Sequence, residues 1–303
     1  MIKTDSAEGI LLSGGLDTSI ISIIASKFIK LQSFTVKFEN APSPDIEYAD
    51  LVAKLLGFQH HIYTFNEHEL YDALPTVIKT TNSFDPMEIR NSVVIYLGLK
   101  AAKEKGIHTI FTGDGADELF GGYSYLFNFD QEQISNELKK LSQVMTFSSI
   151  PLAKVLGMEA KLPFLVPEVK EFALQLDSQY KIHTENKEIY GKWILRKAFE
   201  ELLPKAVVWR VKTPIEVGSG TTILPKFFNE KISEPEFLQK KQNYRNEDHI
   251  TIRDKEQLFY YEIYRSTIGI PQTVDLNGKI CPQCNSNVNE KATYCRTCGA
   301  YPI

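Results

Sequence analysis

A chain of 303 residues, 43% of them hydrophobic, can bury one large core or two modest ones. Its net charge of −4 leaves no electrostatic footprint for nucleic acid, and no run approaches the roughly 18 consecutive apolar residues that span a membrane. No charged-then-apolar leader precedes the first apolar run, so the expected location is the cytoplasm.

Residues 9–12 are a short apolar run, followed by Ser13-Gly14-Gly15-Leu16-Asp17-Thr18-Ser19 and then by apolar residues at helical spacing. This predicts a strand, a turn and a helix. Ser13, Gly14, Gly15, Thr18 and Ser19 can bring N–H groups and hydroxyls against an anion, and the helix that follows adds its dipole. Asp17 among those donors repels phosphate unless a cation stands between them, so the loop points to Mg-bound nucleotide. The chain has no G-x-x-x-x-G-K-[ST], which argues against a phosphate loop of the kinase or GTPase type.

Further strands are expected at 33–38, 61–65 and 109–112. The last runs into Gly113-Asp114-Gly115-Ala116-Asp117-Glu118-Leu119-Phe120-Gly121-Gly122-Tyr123, a second acidic, glycine-rich turn. Two such loops at strand ends suit one metal–nucleotide site in the crevice of a parallel sheet. The expected class is α/β, a parallel sheet with flanking helices and a helical second half, with helices at 131–144, 167–176 and 187–203. Residues 212–225 read as a mobile loop over the site, and a helix around 258–264 is expected to pack on the sheet domain. The expected domains are 1–270 and 280–303, joined by a linker at 271–279.

All four cysteines fall near the C-terminus, as Cys281-Pro282-Gln283-Cys284 and Cys295-Arg296-Thr297-Cys298. Two C-x-x-C knuckles offer four thiolates for a structural zinc ribbon, and Asn285 and Gly299 suit the tight turn after each. Paired disulfides are the weaker reading for a chain without a secretion signal.

S-G-G-L-D-T-S resembles the loop of the N-type ATP pyrophosphatases, which cut ATP between its α and β phosphates. G-D-G-A-D-E-L-F-G-G-Y is similar to the second signature of the synthetase domain of asparagine synthetase and β-lactam synthetase. Ser33-Phe34-Thr35-Val36, Ser43-Pro44-Asp45 through Leu56-Gly57, and His60-His61 follow in that family's order. So do Phe84-Asp85-Pro86-Met87-Glu88-Ile89-Arg90, Gly157-Met158-Glu159-Ala160-Lys161-Leu162-Pro163-Phe164-Leu165, Lys192-Trp193-Ile194-Leu195-Arg196 and Trp209-Arg210-Val211-Lys212. The resemblance covers about residues 9–220.

The resemblance implies an adenine nucleotide α-hydrolase-like fold that uses ATP and Mg. Ser13, Gly14, Gly15, Asp17, Thr18 and Ser19 would then hold pyrophosphate, with Asp17 and Asp117 on the metal. Backbone groups at Leu12, Val36 and Gly113 would meet the adenosine. Arg90 would grip the leaving pyrophosphate, and Lys212 would neutralise charge building on the α-phosphate. Asp114, where the family often has Glu, and Tyr123 belong to the same signature. Glu159 reads equally as a substrate contact or as a buried partner of Arg196. His60 and His61 are expected to hydrogen-bond within the fold.

Departures from the family bear on the substrates. The family's glutamine-hydrolysing domain is expected ahead of residue 9, and no cysteine occurs before Cys281, so glutamine hydrolysis by the usual N-terminal cysteine is not expected. The nitrogen is then free ammonia, another amine, or ammonia from a separate glutaminase or other donor protein. Met87 and Glu88 replace threonines beside the arginine, Lys161 replaces Arg, and Val166 replaces the Asp of P-F-L-D. The carboxylate acceptor, small-molecule or carrier-borne, therefore stays open. The leading expectation is an ATP-dependent, AMP-forming amidoligase. An N-type pyrophosphatase modifying tRNA and a non-catalytic nucleotide-binding scaffold are the alternatives, and homo-oligomerisation stays open.

Overall fold

The computed structural model describes residues 7–303. In chain order the elements are β1 (Gly9–Leu11), α1 (Leu16–Ala25), β2 (Gln32–Phe38), α2 (Asp45–Leu56), β3 (Gln59–Phe65), α3 (Glu67–Thr81), α4 (Pro86–Glu104), β4 (Thr109–Phe111), α5 (Ala116–Phe120), α6 (Gln131–Val144) and α7 (Ser149–Val155). There follow β5 (Glu159–Lys161), α8 (Pro167–Gln175), β6 (Ile182–Glu185), β7 (Glu188–Gly191), α9 (Trp193–Phe199), α10 (Lys205–Val208), α11 (Ile215–Gly218), α12 (Leu224–Lys231), α13 (Glu234–Glu247) and α14 (Lys255–Thr267).

Five strands form one sheet in the order β3-β2-β1-β4-β5, and the pairs β1–β2, β1–β4 and β4–β5 are parallel. The first crossovers run outward from β1 through β2 to β3, and the chain then returns to place β4 on the other side of β1. The strand order therefore reverses between β1 and β4, where the loops leaving their carboxyl ends part and open a crevice. Both acidic, glycine-rich turns leave these two strands.

The molecule divides into two compact units. The first comprises Met1–Val36, Ser43–Tyr63 and Gly98–Pro214. Its core gathers Ile10 and Leu12 at β1, Leu16, Ile20 and Ile21 of α1, Val52 of α2, Phe111 of β4, and Val207 and Val208 of α10, all nearly free of solvent. The second comprises Lys37–Pro42, Thr64–Leu97 and Ile215–Ile303. Aromatic rings fill it: Phe84 lies 5.0 Å from Tyr261 and 5.1 Å from Tyr264, and Phe228 lies 4.7 Å from Phe259.

Several expected elements take other forms. Residues 188–191 are strand rather than helix: Thr184-Glu185-Asn186-Lys187-Glu188-Ile189 folds back as the β6–β7 hairpin, its turn made by Asn186 (φ 53°) and Lys187 (φ 70°). The half after Tyr123 also contributes β5 to the main sheet. Residues 212–225 hold short helical turns, α11 and Thr221–Ile223, instead of an irregular loop. The helix at 258–264 extends to α14 and packs on α3, α12 and α13. The four-cysteine segment is counted inside the second unit, so the compact units cut across the expected boundaries. Among the described residues no helix is long and apolar enough to cross a membrane.

Candidate active site

Beyond β1 the chain turns at Gly14 in the left-handed region (φ +67°), where an added Cβ would stand 2.3 Å from Ala49 N and 2.4 Å from Tyr48 C. The turn is thus pressed against the α2 backbone, and only glycine fits. Ser13 Oγ accepts the Gly15 N–H at 3.3 Å and lies 3.3 Å from Thr18 Oγ1, while Ser19 Oγ donates to Gly15 O at 2.7 Å. Gly15 caps α1 without a side-chain acceptor, so the first-turn N–H groups stay open to an anion.

Asp17 in the first turn of α1 and Asp117 in the first turn of α5 meet around one lysine. Lys192 Nζ lies 2.5 Å from Asp17 Oδ2 and 2.7 Å from Asp117 Oδ1, with its side chain only 4% exposed. Lys212 Nζ lies 2.5 Å from Asp117 Oδ2 with its side chain 38% exposed, so it is the solvent-facing member of the set. Gly122 makes room for this cluster, because an added Cβ would fall 1.7 Å from Asp117 Oδ1 and 2.4 Å from Lys192 Cε.

Burial pushes the Asp17 carboxyl up, Lys192 opposes the shift, and neighbouring Asp117 adds to it. For Asp117 burial alone would also raise it, but Lys192 and Lys212 outweigh that effect and hold it well below the usual carboxylate range. Lys212 is held above the ordinary lysine value, since Asp117 and Asp17 override its desolvation. Asp17 Oδ1 is buried without a hydrogen-bond partner. A buried oxygen left unmatched beside a second carboxylate fits a hard divalent cation, and these donors suit Mg²⁺.

The loop bearing Lys212 is tied down by two arginines. Arg196 donates to the carbonyls of Gly191 (2.9 Å), Val208 and Arg210 (3.1 Å). Arg210 places Nη2 2.7 Å from Asp45 Oδ1, donates to Ser13 O at 3.4 Å, and lies 4.0 Å over the Tyr48 ring. Glu159 is exposed on β5, so the buried group paired with Arg196 is the backbone and not this carboxylate.

Asp114 Oδ2 accepts from Thr112 Oγ1 (2.9 Å) and Ser149 Oγ (2.5 Å), and burial raises its carboxyl. Tyr123 donates to Glu118 Oε1 at 2.5 Å, and burial pushes both groups up. Leu12 donates its N–H to Phe34 O (2.8 Å) and accepts the Thr35 hydroxyl at its carbonyl (2.5 Å). Val36 is buried in β2, and a Cβ on Gly113 would meet Thr18 Cγ2 at 3.0 Å. His60 Nε2 pairs with Thr35 Oγ1 (2.9 Å) and His61 Nε2 with Gln32 Oε1 (2.8 Å), both within the sheet.

The first unit thus brings Ser13, Gly14, Gly15, Asp17, Thr18, Ser19, Asp117 and Lys212 together. Lys192 is the residue that sequence reasoning did not single out. Its backbone lies at φ 56°, a conformation unusual for lysine and invisible in the sequence. Arg90 belongs to the second unit, on α4, where its Nε donates to Pro86 O (3.2 Å) and lies 3.6 Å from Glu256 Oε1. Glu256 is buried, accepts from Tyr260 OH (3.0 Å), and has its carboxyl pushed up by that burial to about 7.

At the C-terminus the Sγ atoms of Cys281, Cys284, Cys295 and Cys298 all lie within 4.8 Å of one another, at 3.6 Å for the pairs 281–298 and 284–295. Four thiolates at Zn–S of about 2.3 Å stand about 3.8 Å apart in a tetrahedron. The turns after the knuckles fall on Asn285 (φ 59°) and Gly299 (φ 75°).

The asparagine synthase family model matches residues 1–150 and 151–272. The chain belongs to the asparagine synthase family. Asparagine synthetase [glutamine-hydrolyzing] 1 of Lotus japonicus is 34% identical over 239 residues, 72% of this chain and 40% of that protein. The probable asparagine synthetase [glutamine-hydrolyzing] of Dictyostelium discoideum is 31% identical over 296 residues, 88% of this chain and 52% of that one. The chain therefore spans about half or less of these relatives' length. Among solved structures, the predicted subunit of tRNA methyltransferase from Methanocaldococcus jannaschii matches at 17% identity over 64% of this chain and 86% of that chain. Its TM-score of 0.29 is too low to argue from. Within the family match lie both acidic loops, Lys192 and Lys212, whereas the four cysteines lie beyond it.

Proposed function

We propose that the chain is an ATP-dependent amide-forming ligase that adenylates a carboxylate, releases pyrophosphate, and passes the acyl group to ammonia or another amine. The observation that carries this reading is the buried Asp17–Lys192–Asp117 cluster at the β1/β4 switch, with Asp17 Oδ1 left unmatched beside an open phosphate loop. Asp17 and Asp117 are the residues that would hold Mg²⁺, which when bound neutralises phosphate charge. Ser13 and Thr18 would offer hydroxyls to the pyrophosphate and the first turn of α1 its open N–H groups, while Gly15 and Ser19 hold the loop in shape through the Ser19 bonds to Gly15 O. Lys192 and Lys212 supply two ammonium groups beside the same carboxylates, available to the α-phosphate oxygens and then to the tetrahedral acyl centre. Arg90 is assigned to the leaving pyrophosphate through its place in the Phe84–Arg90 segment, and Asp114 and Tyr123 shape the second loop.

Activation as an acyl-adenylate suits the chemistry, because a carboxylate is a poor electrophile and AMP a good leaving group. Family membership supports the amide-forming class, while the acceptor is left to experiment by Met87, Glu88, Lys161 and Val166. The cysteine cluster is assigned to zinc on its sulfur spacing. A screen of carboxylates with Mg-ATP and ammonia, reading products, tests the reading. AMP and pyrophosphate are expected, and ADP with phosphate would sink it.

A further inference from the structure

The four-cysteine segment is not a free module. Its second knuckle grips the turn that joins α3 to α4 within its own unit. Phe84 donates its N–H to Thr297 O at 2.7 Å, and Ser83 Oγ donates to Arg296 O at 2.7 Å. Tyr294 OH donates to Asp85 Oδ2 at 2.5 Å. Asp85, 3% exposed, starts α4: the same Oδ2 accepts the Glu88 N–H at 3.1 Å, and its carbonyl accepts the Ile89 N–H at 2.9 Å. A carboxylate accepting from the N3 amide is an N-cap, and losing such a cap frays the first turn.

The contact is close enough to require glycine. Gly299 takes φ +75°, and an added Cβ would stand 1.9 Å from Asp85 Oδ1. Residues ahead of α14 and on it complete the clasp: Arg253 Nη1 donates to Gly299 O (2.6 Å), its Nη2 lies 3.4 Å from Asp85 Oδ1, and Gln257 Nε2 donates to Cys298 O (2.6 Å). Every ribbon atom in this list belongs to Tyr294 through Gly299, the stretch that holds Cys295 and Cys298. Its shape depends on the metal, since so short a segment has no core of its own and metal binding supplies its folding free energy.

We propose that the metal-loaded knuckle is an intramolecular brace that sets the first turn of α4, the turn carrying Met87, Glu88 and Arg90. Metal occupancy then governs how firmly that turn is held. The face of the knuckle used in the clasp is occupied by its own chain and is not available to a partner protein. Through the reading of Arg90 given above, the brace also tunes affinity for pyrophosphate.

Hydrogen exchange on the full chain, zinc-loaded and chelator-stripped, tests this. Stripping should speed exchange of the Phe84 and Glu88 amides by about tenfold or more while the Leu12 amide in the sheet is unchanged. Unchanged exchange at Phe84 and Glu88 after complete metal loss overturns the brace. Tyr294→Phe guards against general unfolding, because it leaves the thiolates intact. It should retain one zinc per chain yet speed Glu88 exchange several-fold, and a rate equal to the parent's overturns the proposal. Inhibition by added pyrophosphate should weaken in parallel, and Arg90→Ala reports separately whether Arg90 binds pyrophosphate. The exchange result thus judges the brace, and the Arg90 variant judges the functional reading beneath it.

Discussion

Burial works against the charge on Asp17. Its carboxyl is raised by burial, so the stability it contributes is present below the ordinary aspartate range and is lost as pH rises through its elevated folded value. Asp17→Asn should therefore raise the urea midpoint of the ligand-free chain at pH 7.5 while abolishing pyrophosphate release, and a lower midpoint would show that the pairing with Lys192 outweighs desolvation. Lys212→Ala should cut kcat by about 10²-fold if its ammonium acts in the transition state, whereas a change confined to KM would make it a ground-state binder. Glu256 follows the same sign rule as Asp17, with a folded value of about 7. Its contribution is complete below about pH 4.3 and disappears as pH climbs through 7, so Glu256→Gln should flatten the fall of unfolding free energy between about pH 4.5 and 7, a change on the order of 3 kcal/mol. Urea titrations at three pH values across that window would check it. At this scale the meeting of the Ser13–Ser19 turn with Asp117 was legible, because glycine, hydroxyl and carboxylate types are those expected of a turn that holds phosphate and metal. Lys192 was not, because one lysine among many carries no mark until its backbone angle and its two carboxylates are seen together.

At the level of elements, apolar runs alternating with helical stretches made β1, β2, β3 and β4 readable, and the Asp130/Gln133 capping box fixes the start of α6 where periodicity placed it. The β6–β7 hairpin was hidden, since an Asn-Lys turn is a weak signal beside the run of helix formers after it. Strand β5 is three residues long and earns its state from pairing with β4, a long-range fact no local pattern carries. The tightest element-scale requirement is the turn into α1. Gly14→Ala should destabilise the chain by about 2 kcal/mol or more and weaken ATP binding, since the methyl group would meet the α2 backbone at a positive φ. Chemical denaturation and nucleotide titration would report the two effects.

For the whole molecule, the class of the sheet and the family were readable from the order of the motifs, but the division into units was not. Pro271 to Lys279 looks like a linker by composition, yet the residues on both sides of it fold into one unit, a matter of hydrogen bonds between positions about 200 apart in sequence. Residues 1–303 carry no cysteine ahead of Cys281, so on the function proposed above a purified protein of these 303 residues alone should use ammonia and fail with glutamine as sole nitrogen source. Efficient turnover with glutamine in an amide-formation assay would contradict this.

Lys192, seated between two carboxylates, acts as an internal counter-ion. A cation arriving alone competes with an ammonium that is already in place and tethered, and repulsion between the two positive charges opposes its entry. Arriving together with triphosphate, it brings the negative charge that can draw the lysines outward. Metal and nucleotide should therefore enter as a thermodynamically coupled pair: calorimetric titration with Mg²⁺ alone should show no saturable binding in the micromolar range, and Mg²⁺ affinity should rise steeply once ATP is present.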